Sequence, residues 1–73
     1  MNTYNGSNAD LNKLVGYGFV YVSNGLNFPT GETIGCCLYF SYASSYKIQF
    51  FTNNGKLYSR AYTGVWSAWA KIV

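Results

Sequence analysis

Asp10 and Glu32 are the only carboxylates in these 73 residues, and there is no histidine. Two acids are the minimum for glycoside hydrolysis, where one protonates the leaving oxygen and the other acts at the reacting carbon. Asp10 falls in a helix-capping pattern and Glu32 in a turn-rich loop, so their convergence as an acid pair is not expected. Without histidine, one copy of the chain cannot assemble a Ser-His-Asp or Cys-His relay. Its eight glycines form neither a phosphate-binding loop nor a dinucleotide fingerprint. Cys36 and Cys37 are adjacent. On a strand they would point to opposite faces, and a mutual disulfide would distort the backbone. Two free thiols are therefore expected. A metal site lacks both histidine and a second cysteine pair. Enzymatic activity, a metal and a cofactor are all not expected.

Binding is the chemistry that remains. Tyr58, Arg60 and Tyr62 alternate along one segment, with Trp66 and Trp69 shortly after. On a strand the three share a face. Aromatic rings pack against the apolar faces of sugars, while guanidinium and phenol groups supply polar contacts. Tyr58, Arg60, Tyr62 and Trp69 are thus candidate ligand contacts, for a carbohydrate or a protein. A core or subunit-interface role is the stronger expectation for the tryptophans, and cation–π packing competes with ligand contact at Arg60. The net charge of +3 comes from Lys13, Lys47, Lys56, Arg60 and Lys71. Scattered in this way, they do not form the basic patch that nucleic acid requires, and no nucleic-acid partner is expected.

These residues must be carried by short elements. Ser7-Asn8-Ala9-Asp10 matches a capping box, and Leu11, Leu14 and Val15 follow at helical spacing, with Gly16 as a stop. The spacing predicts a helix of one to two turns, too short to stand unless Leu11 and Leu14 dock on something. Gly18 to Val22 is aromatic or β-branched after its glycine and predicts a strand. Asn24-Gly25, Pro29 and Gly31 mark a loop from Ser23 to Thr33, with Phe28 anchored at the core edge. Ile34–Tyr42 and Tyr46–Thr52 predict two further strands. The first places Cys36, Leu38 and Phe40 on one face, and the second places Ile48 and Phe50 on one face. Phe51 breaks the alternation, which implies that the opposite face is partly covered too. Asn54-Gly55 predicts a tight hairpin into Lys56–Tyr62. Thr63-Gly64 turns the chain again, and Val65–Ile72 returns alongside. A bulge or 3₁₀ turn at Ser67-Ala68 would bring Trp66 and Trp69 to one face.

The expected fold class is a small β-rich (α+β) knob: one domain over residues 1–73, with a short N-terminal helix and an antiparallel sheet of four or five strands. Its expected core is Leu11, Leu14, Phe19, Tyr21, Leu38, Phe40, Ile48, Phe50 and Trp66. A domain of this size buries only roughly 60% of its unfolded surface, and association with other copies would relieve that shortfall. No apolar stretch approaches the ~20 residues needed to cross a membrane. The opening residues have neither the basic start nor the apolar centre of a signal peptide.

Several segments together resemble the pyocin-knob or phage tail-fibre knob family, over nearly the whole chain. They are Ala9-Asp10-Leu11-Asn12-Lys13-Leu14, Gly18-Phe19-Val20-Tyr21-Val22, Gln49-Phe50-Phe51-Thr52, Leu57-Tyr58-Ser59-Arg60-Ala61-Tyr62 and Trp66-Ser67-Ala68-Trp69-Ala70-Lys71-Ile72. The resemblance implies a knob in a trimeric tail fibre of a phage or phage-tail-like bacteriocin, assembled in the host cytoplasm as a virion component. The implied partners are further copies of the chain and a bacterial surface polysaccharide, commonly lipopolysaccharide, or an envelope protein. A structural spacer or assembly knob without a ligand is the alternative. In such a knob Leu11, Leu14, Trp66 and Trp69 look mainly structural, and no universal set of ligand residues carries over.

Overall fold

Asn54 and Gly55 adopt φ of 52° and 77°, the left-handed pair that a two-residue hairpin requires, and they join the strands Tyr46–Asn53 and Lys56–Tyr62. The structure, a computed structural model, describes residues 2–7 and 10–73, with side chains from Asp10 onward. Six strands form one sheet in chain order. They are β1 (Asn2–Ser7), β2 (Tyr17–Ser23), β3 (Ile34–Ala43), β4 (Tyr46–Asn53), β5 (Lys56–Tyr62) and β6 (Ala70–Lys71). β2 to β6 make an antiparallel meander of five strands. β1 adds to β2 in parallel, a strand that the polar opening residues do not announce.

The expected N-terminal helix is absent. In its place is a single 3₁₀ turn, Leu11–Lys13, whose N-cap is Asp10: its carboxylate accepts from the Asn12 backbone N–H at 2.9 Å. Ser7 closes β1 instead of capping a helix, and Asn8 and Ala9, the middle of the expected capping box, lie outside the described residues. Leu14 is already extended (ψ 127°), which stops the turn before Gly16. A helix this short has no stability of its own, and the backbone instead spends its groups on tertiary partners. The Leu11 N–H donates to the Leu26 carbonyl at 3.2 Å.

The sheet has one covered face, and it is the opposite of the one expected. Leu11, Val20, Val22, Cys37, Tyr39, Phe51 and Tyr58 form the core. Phe19, Tyr21, Leu38 and Phe40, expected inside, are 38%, 41%, 47% and 48% exposed on the other face. Ile48 and Phe50 share that open face and are only half-buried. Leu11 is fully buried as expected, and Leu14 packs half-buried against the core.

The covering is done by the 3₁₀ turn and by the loop between β2 and β3, which brings Phe28 onto Phe51 at 4.9 Å between ring centroids. Gly35 is what admits Phe51: a Cβ at position 35 would stand 2.5 Å from the Phe51 Cζ. On the open face, cross-strand partners form rows. One runs Phe19–Leu38–Phe50–Ser59 and the next Tyr17–Phe40–Ile48–Ala61. Both run from a bulky ring on β2 to a small residue on β5. All charged residues of β2–β5, namely Lys47, Lys56 and Arg60, occupy the covered-face register.

Candidate functional site

The alternation of β5 puts Tyr58, Arg60 and Tyr62 on one face, as expected, and that face is the covered one. Arg60 lies opposite Gln49, and both are buried, Arg60 to 7% exposure. The Arg60 Nε donates to Gln49 Oε1 at 2.9 Å, and Gln49 Nε2 donates to the Leu11 carbonyl at 2.6 Å. A polar relay thus ties β5 through β4 to the 3₁₀ turn. Buried polar groups are tolerable only when partnered in this way.

Two indoles close over the guanidinium. Its Cζ lies 3.8 Å from the Trp66 ring centroid and 4.6 Å from that of Trp69. Both tryptophans therefore sit on the same side of β5. The device that puts them there is an irregularity of the bulge kind expected at Ser67-Ala68: between the Tyr62–Trp66 bridge and the Ser59–Ala70 pair, residues 67–69 face only residues 60 and 61, one residue extra, and no 3₁₀ turn forms. Trp66 makes an isolated bridge to Tyr62, residues 67–69 are irregular, and β6 begins at Ala70. The Trp69 Nε1 donates to the Asn27 carbonyl at 2.9 Å, and Asn27, at a φ of 65°, also donates its side-chain amide to Asp10 at 2.7 Å. Beyond Trp66, the Tyr62 ring lies 5.2 Å away, and Lys47 Nζ sits 4.9 Å from the centroid of Tyr62.

The result is a ladder of cations and rings: Lys47, Tyr62, Trp66, Arg60, Trp69. Tyr62, Trp66 and Trp69 are half-buried and keep part of their surface accessible to solvent. Arg60 is enclosed. Its Nη2 has no hydrogen-bond partner among the described residues, as expected of a group stacked between rings. Burial pushes the guanidinium down to about 10, still a cation at neutral pH.

Of the four candidate ligand residues, Tyr62 and Trp69 retain accessible surface. Tyr58 does not. It is buried, and its hydroxyl donates to Glu32 Oε2 at 2.6 Å. Glu32, weighed in the sequence only as half of an acid pair, has a structural role that the sequence reading did not anticipate. Besides Tyr58 it receives the Lys56 ammonium at 2.8 Å and the Asn53 amide at 3.1 Å. Only its place as the one acid in a loop beside a basic strand hinted at this. Hydrogen bonds from Lys56, Tyr58 and Asn53 hold its carboxyl well below the usual range, at about 2.

The folded state prefers the carboxylate, so its contribution is full above pH 4.5 and is lost as pH falls toward 2. Urea midpoints should accordingly fall between pH 4.5 and 2, and Glu32→Gln should flatten that fall; an unchanged slope would show that the clasp does not form.

Asp10 and Glu32 are bound into separate networks, one on Asn12 and Asn27 and the other on β4 and β5, so no acid pair is assembled. The two cysteines are free. Cys37 is sealed in the core, where burial raises its thiol to about 12, whereas Cys36 is half-buried on the open face. Among the described residues no group of three potential metal ligands converges, and no helix is long and apolar enough to cross a membrane. Compared with protein-family models, curated proteins and solved structures, the chain matches none.

Proposed function

We propose that this chain is a non-enzymatic tail-fibre module of a phage or phage-tail-like particle, contributing to attachment at a bacterial surface by contacting a polysaccharide such as lipopolysaccharide. The observation that supports this reading is the row of half-buried Tyr62, Trp66 and Trp69, with Arg60 packed against both indoles and Tyr62 against Trp66. Rings held at fixed spacing lose little freedom when a sugar stacks on them, and Lys47 beside Tyr62 offers a cation to acidic substituents. The resemblance to tail-fibre knobs adds the fibre setting, in which the working unit is a homotrimer. Arg60 acts here as a positioning residue, not as a ligand contact.

The test is a tryptophan-fluorescence titration of the chain with a panel of bacterial lipopolysaccharides. Saturable quenching with at least one of them is expected. Tyr62→Ala, with an unchanged thermal midpoint, should weaken it about tenfold, the order of one lost aromatic contact. Unaltered affinity in that variant would remove the ladder as the site. Silence across the panel would leave the second reading, a structural assembly knob without a ligand, which is favoured by the open sheet face.

A further inference from the structure

The open face of the sheet is a surface of this chain that the ladder does not use. Among the described residues of β2–β5 it carries no charged side chain, while the other face carries all three. Its most exposed members are Tyr42, Tyr17, Phe40, Leu38, Tyr46, Tyr21 and Phe19. With aromatic side chains of 150–250 Å² each, their uncovered portions and those of their neighbours amount to roughly 600 Å², at the upper limit of apolar patches on ordinary monomers. Two such patches in contact would remove about 1,200 Å² from water, the lower bound for specific, stable association.

We infer that this face is covered by a further copy of the same chain, packed so that the bulky β2 side of one copy lies against the small β5 side of the next. Three observations converge on that occupant. The first is charge. The chain carries a net +3, so copies repel unless they meet where neither bears a cation, and this face meets that condition. An anionic membrane or an acidic partner would instead be drawn to the opposite side.

The second is shape. The row Phe19–Leu38–Phe50–Ser59 descends from a ring to a hydroxymethyl group, and the row Tyr17–Phe40–Ile48–Ala61 descends in the same sense. Across these two rows the face is a wedge, high along β2 and low along β5, whereas the row Tyr21–Cys36–Thr52–Leu57 ends on a leucine and does not share the slope. A wedge packs densely against a reversed copy of itself. Packed high side to high side, it would leave the low sides gaping, and close packing does not tolerate such voids. The third is size: 73 residues build only a small core, and a second copy over this face would enlarge it. Made reciprocally about a two-fold axis, this contact closes a pair; repeated around a threefold axis, it closes a trimer.

The inference rests only on the assembly part of the proposed function, and glycan titration reads the other face, so either can fail alone. Two measurements test it on the full chain. Sedimentation at high micromolar concentration should show an oligomer. Leu38→Lys, at a position exposed enough to accept lysine without unfolding, should weaken association about thirtyfold or more while circular dichroism stays unchanged. In a Cys36→Ser background, Phe19→Cys chains mixed with Ser59→Cys chains should cross-link to each other on mild oxidation, and neither should cross-link alone. Cross-links within the Phe19→Cys sample alone would overturn the high-to-low packing. A monomer at every concentration would overturn the occupant, and a monomer that instead sediments with phosphatidylcholine vesicles would reassign the face to lipid.

Discussion

Phe51→Ala is expected to leave the isolated chain largely unfolded at 25 °C. Phe51 is fully buried, and rings surround it: Phe28 at 4.9 Å, Trp69 at 6.0 Å and Tyr58 at 6.2 Å between centroids. Truncating such a phenylalanine costs about 3–5 kcal/mol, from lost transfer free energy and from the cavity left behind. A domain below roughly 80 residues rarely holds more than about 3–5 kcal/mol in all. The loss therefore matches the whole reserve of the monomer. Urea titration followed by far-ultraviolet circular dichroism measures it. Phe51→Leu, which keeps most of the volume, should fold with a lowered midpoint. Gly35→Ala should behave as a milder Phe51 lesion, because its new methyl would displace the same ring. A Phe51→Ala protein within 1 kcal/mol of the parent (about a third of the smallest expected loss) would mean that the covered face is misassigned.

The second large effect is at Arg60. Arg60→Ala removes a cation from between two indoles, where each contact is worth about 0.5–2 kcal/mol. It also strands the Gln49 carbonyl oxygen in the core, a loss of about 1–3 kcal/mol. We expect a total near 3 kcal/mol in urea melts. The lesion should therefore look like lost folding, not like lost ligand affinity in a folded protein. Arg60→Lys keeps the charge but not the flat stack or the geometry of the Nε contact, and should recover only part of the loss. Arg60→Met separates burial from charge. Burial already pushes the guanidinium down to about 10, so the site disfavours the cation, and a chain of similar length without charge should be less damaging than alanine. If Arg60→Ala melts with the parent while abolishing polysaccharide binding, Arg60 is a ligand residue and the bracing role assigned to it is wrong.

Much of the sheet was legible in the sequence. Lys56–Tyr62 is a strand to the residue, and Asn54-Gly55 sets its hairpin, because that dipeptide encodes a backbone conformation and needs no tertiary help. The choice of inner face was not legible. β3 and β4 are apolar on both sides, so alternation marks the strands without saying which side is covered. Phe51, out of step with Ile48 and Phe50, was the residue to follow. The face is chosen by what crosses it, namely a 3₁₀ turn and a loop whose path depends on positive φ at Asn24 and Asn27. Polar residues misled for a related reason. In the sequence Gln49 has no assigned role and Arg60 reads as a ligand contact or a cation–π partner, whereas they pair with each other and with the Leu11 carbonyl, and such long-range pairing has no local signature. β1 escaped notice because parallel pairing draws on backbone groups that any residue supplies.

The segment after β5 has a structural consequence of its own. Leu57 gives its N–H to the Val73 carbonyl at 2.9 Å and takes the Ile72 N–H at 2.6 Å, while the Ala61 carbonyl takes the Ser67 N–H at 2.8 Å and the Ala61 N–H is held by the Ser67 hydroxyl at 3.0 Å. The final stretch thus occupies the rim of β5 with only two residues of regular strand. A rim already saturated by its own chain offers little template to a stranger, so lateral growth into fibrils is blocked on that side. Crowding many such units together, as on a multivalent particle, then carries little risk of runaway polymerisation in the plane of the sheet.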